Sequence, residues 1–131
     1  MTEAARRRPA RRRAATGPGL LPWQAAEARA FLVAAPPDTL SVAAAAERCK
    51  LSRGYFIKAF RVTFGQTPYR WLLEYRVAAA KALLRGPMPI ATIALELGFA
   101  DQSHFTRVFA RIAGTPPGLW RRQQARTMAD A

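Results

Sequence analysis

This chain uses one pattern twice. Phe56, Phe60, Gly65, Pro68 and Trp71 return 49 residues later as Phe105, Phe109, Gly114, Pro117 and Trp120. The same offset sets Ser52 against Asp101, Tyr55 against His104 and Lys58 against Arg107, while Ala46 meets Ala94 at an offset of 48. Identities at one spacing, all at positions that pack, turn or cap, require a supersecondary unit built in duplicate. The change of offset makes the second unit's turn one residue longer.

Each unit reads as a short helix, a tight turn and a longer helix. Ser41 caps a helix from Val42 to about Cys49. Ser52 caps the next, whose Phe56, Phe60 and Phe64 face the core at every fourth position until Gly65 ends it. Thr67 and Pro68 open the longest helix, with Leu72, Leu73, Val77, Ala80 and Leu84 on its apolar side, and Gly86–Pro87 stops it. In the second copy Ile90, Ile93, Ala94 and Leu97 form a short helix closed at Gly98. Asp101 then caps a helix reaching about Ala113, and a last short helix containing Trp120 follows Pro116–Pro117. Ahead of the repeat, a helix starts on Pro22 and stops before Pro36–Pro37. No segment sustains period-two alternation, so the fold class is all-α.

The expected layout is a disordered arginine-rich arm (1–19), a first subdomain (20–66), a linker helix (67–86), a second subdomain (87–124) and a disordered tail (125–131). Gly98 supplies the left-handed residue of the second turn. Lys50 holds that place in the first. A left-handed lysine is less favourable by roughly 1 kcal/mol, which predicts a looser first turn.

Charge narrows the function. There are 21 Lys and Arg against 8 Asp and Glu, a net +13. Six arginines and one acid, Glu3, fall in the first fifteen residues, which leaves 15 basic and 7 acidic residues for the rest. The folded part is therefore basic in its own right, which favours a polyanionic partner. The lone Cys49 excludes an internal disulfide and fits a reducing compartment as a small core filler. No apolar run approaches the roughly 20 residues of a membrane span, and the N-terminus lacks the apolar stretch of a secretory signal. His104 is the only histidine, so it has no metal partner and no catalytic dyad. Its alternatives are a DNA contact or local packing. Glu27, Glu47, Glu74 and Glu96 fall on separate helices, where surface pairs with arginines such as Arg76 are expected. No phosphate loop or nucleophile motif is present. Neither an enzyme nor a cofactor is expected.

At about 100° per residue, Gly54, Ile57, Lys58 and Arg61 lie opposite the buried Phe56, and Ser103, Thr106, Arg107 and Ala110 take the same arc opposite Phe105. Gln102 stands beside them in the first turn. Neither face holds an acid beyond the cap. Side chains of this kind on the front half of a helix suit base edges in a major groove: Gln for adenine, Arg for guanine, Ser and Thr for either.

The segments LSRGYFIKAFRVTFGQTP and GFADQSHFTRVFARIAGTPPGLWR resemble the DNA-binding domain of AraC/XylS-type transcription regulators, over about residues 22–122. The resemblance implies seven helices forming two homeodomain-like helix-turn-helix subdomains joined by a long helix. Their recognition helices (about 53–63 and 102–113) enter successive major-groove segments of double-stranded DNA. Carried over by position, the base-contacting residues are Gly54, Ile57, Lys58, Gln102, Ser103, His104, Thr106 and Arg107. Ser52, Arg53, Arg61 and Arg111 fall to phosphates. Gly54 departs from the larger side chain often present there and Ile57 offers only apolar contact, so the second helix is the better equipped. The resemblance also implies a bacterial, cytoplasmic, nucleoid-associated activator that contacts RNA polymerase and binds DNA as a monomer. No effector domain is expected in this chain, which resembles the family's stand-alone members, with a fragment of a longer regulator as the alternative. The competing readings are a protein-binding adaptor or antagonist, and a non-specific nucleic-acid coat. The arginine-rich arm is expected to add sequence-independent affinity. Deleting residues 1–15 should weaken binding to all duplexes alike and flatten the salt dependence in a titration, and an unchanged salt slope would contradict this role.

Overall fold

Proline and glycine set the element boundaries, and polar caps fix the helix starts. The computed structural model describes residues 17–34 and 41–130, apart from the side chain of Asp130. The arginine-rich run up to residue 16, the Pro36–Pro37 stop and Ala131 lie outside the described residues. Among the described residues there are seven helices and no strand: α1 (Pro22–Ala34), α2 (Val42–Arg48), α3 (Arg53–Phe64), α4 (Pro68–Leu84), α5 (Ile90–Glu96), α6 (Gln102–Ala113) and α7 (Pro117–Asp130). The all-α expectation holds. The chain divides into two compact units, with the boundary between Trp71 and Leu72.

In the first unit α1 packs on α2 and α2 on α3. Its core is Ala28 and Leu32 of α1, Ala45, Ala46 and Cys49 around the end of α2, and Phe56, Ala59 and Phe60 of α3, each at most 1% exposed. Alanines at the crossing let the helix axes approach closely, which is how so small a unit buries two phenylalanine rings. Gln24 is a buried polar residue that sequence patterning missed. Its amide donates to the Cys49 carbonyl (3.1 Å) and its Oε1 accepts from the Leu21 N–H (2.8 Å). One side chain thus ties the start of α1 to the end of α2. The Cys49 thiol donates back to the Gln24 carbonyl at 3.4 Å. Burial pushes that thiol's pKa up and the nearby Glu27 charge adds to the effect, so it stays protonated and unreactive near neutral pH. Outside the core, Arg48 pairs with Glu27 at 2.7 Å and lies 5.0 Å from the Phe31 ring centre.

The second unit has one cluster: Leu73, Val77, Ala80 and Leu84 of α4, Ile93 and Ala94 of α5, Phe99, Phe105, Val108 and Phe109 around α6, and Trp120 of α7. The long helix, expected as a linker with an apolar side, supplies Leu73, Val77, Ala80 and Leu84 of that side to this core. Arg121 of α7 donates to the carbonyls of Leu84 and Met88, closing the end of α4, where helical carbonyls lack partners. Arg76, expected in a surface pair, is 5% exposed. The expected tail is also revised. Helix α7 continues to Asp130, because the sequence after Trp120 is rich in Gln, Arg, Ala and Met, all good helix formers.

The repeat is a repeat of geometry. Phe56 and Phe60 have ring centres 5.7 Å apart at 53°, and Phe105 and Phe109 5.7 Å apart at 57°. The tryptophans meet them edge-on, Phe60–Trp71 at 6.2 Å and Phe109–Trp120 at 6.1 Å. Phe64 adds a third phenylalanine to the first ladder, 4.3 Å from Phe60.

The turns agree as closely, which overturns the expectation of a looser first turn. Lys50 is left-handed at φ 60, and its counterpart Gly98 stands at φ 82. The Leu51 N–H reaches the Ala46 carbonyl at 3.0 Å, as the Phe99 N–H reaches Ala94 at 2.9 Å. The buried Cys49 before it and the Leu51–Ala46 hydrogen bond after it hold the lysine in place despite its local preference. Lys50→Gly should therefore raise unfolding stability by about 0.5–1 kcal/mol, and Gly98→Ala should lower it by about 1–2 kcal/mol. Urea melts of the two variants check both signs.

Candidate nucleic-acid interface

Helices α3 and α6 begin in the same way. Ser52 Oγ accepts from the Tyr55 N–H at 3.2 Å, and Asp101 Oδ1 accepts from the His104 N–H at 2.8 Å. Each ends on a left-handed glycine, Gly65 or Gly114. Between these fixed ends the phenylalanines turn inward and a narrow strip is left outside. Ala100, ahead of the Asp101 cap, is the extra residue of the second turn.

On α3 the strip holds Arg53, Gly54 and Lys58, all exposed after the exposed Ser52 cap, with Ile57 and Arg61 half-buried. A Cβ placed on Gly54 would meet nothing within 4 Å. Arg61 Nε is buried without a hydrogen-bond acceptor among the described residues. On α6 the strip holds the exposed Gln102, Ser103 and Arg107 and the half-buried Thr106, and these four line one shallow, open hollow. Arg111 is exposed one turn further on. Thus every residue expected at the interface lies on an accessible helix surface, with one qualification. The His104 ring packs edge-on against Phe99, with centres 5.3 Å apart, and it is not among the four that line the hollow.

Both strips are basic or neutral, and their one carboxylate, Asp101, is engaged as a cap. A surface with donors, no acid beyond that cap and a width of a few side chains suits an array of acceptors such as phosphates and base edges. Among the described residues no cluster of His, Cys, Asp and Glu could hold a metal ion, and no helix is long and apolar enough to cross a membrane.

Comparison with known proteins bears on this geometry directly. A helix-turn-helix domain family matches residues 45–123, and the arabinose operon regulatory protein of Escherichia coli (strain K12) is 36% identical over 85 residues. The chain belongs to the AraC/XylS-type helix-turn-helix family. That alignment covers 64% of this chain and 29% of the arabinose regulator, so the chain spans under a third of that relative's length. The virulence regulon transcriptional activator VirF of Yersinia enterocolitica is 40% identical over 63 residues, 47% of this chain and 23% of VirF. Among solved structures, the DNA-binding domain of AdpA in complex with a target DNA superposes with a TM-score of 0.69 at 28% identity, covering 79% of this chain and 95% of that one. Family and fold are those of DNA-binding transcription regulators.

The AraC-type units depend on their caps for the exposed first turn. Removing the Asp101 acceptor in Asp101→Ala should destabilise the protein by about 1 kcal/mol. Chemical denaturation measures it, and a change under about 0.3 kcal/mol would mean the cap hydrogen bond is replaced by water at no loss.

Proposed function

We propose that this chain acts as a sequence-specific transcription regulator, an activator, that places α3 and α6 in successive major-groove segments of one duplex. The observation that carries the reading is the duplicated capped helix with an acid-free outer strip, above all the hollow lined by Gln102, Ser103, Thr106 and Arg107. Those four side chains offer a bidentate amide, two hydroxyls and a guanidinium from adjoining turns, a set able to discriminate bases by donor and acceptor pattern. Lys58 has the equivalent place to Arg107 on α3. Gly54, Ile57 and His104 complete the base-facing set, with Ser52, Arg53, Arg61 and Arg111 on phosphates. One chain carries both helices, so a monomer suffices on DNA. Activation adds a contact with RNA polymerase, and the activator named VirF among the relatives supports that direction of control.

Selection of bound duplexes from a random DNA pool is the direct test, since an adaptor or a non-specific coat would enrich no sequence. On the selected site, Arg107→Ala should cost about 1–3 kcal/mol of binding and relax preference at one base position. A loss that is equal on all sequences would instead make Arg107 a phosphate contact.

A further inference from the structure

The two outer strips can be compared position by position, because the aromatic ladders and caps place α3 and α6 in the same register. From Arg53 to Arg61 the strip on α3 reads Arg53, Gly54, Ile57, Lys58, Arg61. Its partner on α6 reads Gln102, Ser103, Thr106, Arg107, Ala110. The first has three cations, one aliphatic chain and one position with no side chain. The second has one cation, three neutral hydrogen-bonding groups and a methyl.

These sets do different physical work. A long cation is satisfied by any phosphate within reach, so its contribution is tolerant of sequence and sensitive to salt. Short neutral groups such as Ser, Thr and Gln contribute little Coulombic attraction and discriminate only where an apposed base edge has the matching pattern. On α3 the exposed Arg53 and Lys58 are the charged groups a phosphate can reach, with Arg61 half-buried beside them. The sequence carries a further basic run at residues 6–13. It is joined covalently to the segment whose Leu20 N–H is held by Thr63 Oγ1 of α3 at 2.8 Å.

We infer that the two units divide the work on DNA: α6 sets the base preference and α3 supplies sequence-tolerant affinity, with Gly54 as the vacant position that keeps α3 from reading. This rests on the function proposed above. Gly54 is vacant by side chain rather than by need. Its backbone is right-handed helix, and the space beyond a Cβ is open. A longer residue is therefore compatible with the fold, and its polar end would project from the strip beside Lys58.

The full chain and duplexes selected from a random pool test the division. The wild type should enrich sites in which one half is strongly restricted and the other tolerant. Gly54→Gln should leave the thermal melt unchanged or raised and should add a base preference of about tenfold in the tolerant half. The converse pair, Ser103→Gly with Thr106→Ile, gives α6 the side chains of α3 at those two positions and should relax preference in the restricted half while bulk-DNA binding persists. Lys58→Ala should weaken all duplexes alike and lower the salt slope by about one, which moves Lys58 from the base-facing set given above to the phosphates. Two equally restricted halves in the wild type would overturn the division and leave the regulator reading intact. So would a uniform tenfold loss in Gly54→Gln with no new preference. Enrichment of no sequence at all would sink the regulator reading, and the division with it.

Discussion

Each unit depends on a short stack of rings. Phe56, Phe60 and Trp71 in the first, and Phe105, Phe109 and Trp120 in the second, hold one long helix against the start of the next with nearly the same spacings and tilts. Edge-to-face and tilted pairs of this kind have a preferred geometry beyond their apolar area. They fix rotation of the helix as well as its distance. Rotation is what matters here: with the phenylalanines locked inward, the opposite side chains are aimed outward without any contact of their own. The donors on α6 are thus positioned by residues that never touch a ligand.

Much of this was legible in the sequence because the repeat samples the same problem twice. Ser52 and Asp101, Gly65 and Gly114, and the ring positions each mark a boundary or a face, and their recurrence leaves little freedom in placing helices. Lys50 shows where local preference misleads. Its left-handed backbone was expected to loosen the turn, yet the Leu51–Ala46 hydrogen bond closes it as tightly as glycine closes the other. Tertiary packing outweighs a local term of that size. Helix α7 was underestimated for a related reason. No proline or glycine interrupts residues 119–130, and a polar helix with one packed face gives only a weak periodic signal.

Other features could not have been read in advance. Gln24 and Arg121 are ordinary polar residues by pattern, and their role appears only when the carbonyls of Cys49, Leu84 and Met88 are seen to lie within reach. Long-range satisfaction of backbone groups leaves no local signature. The outer strips were different, since spacing alone put their residues on one side. What spacing could not supply was His104, whose ring turns toward Phe99 rather than joining the neighbours that line the hollow.

Cys49 has a practical consequence. It is the chain's single sulfur nucleophile, it is fully shielded, and it belongs to the first unit alone. A thiol dye added in excess would then modify the protein only through openings that expose this one core, so its rate would clock the breathing of that half while the other stays silent. The molecule comes with its own probe for asking whether its two halves melt together or one at a time.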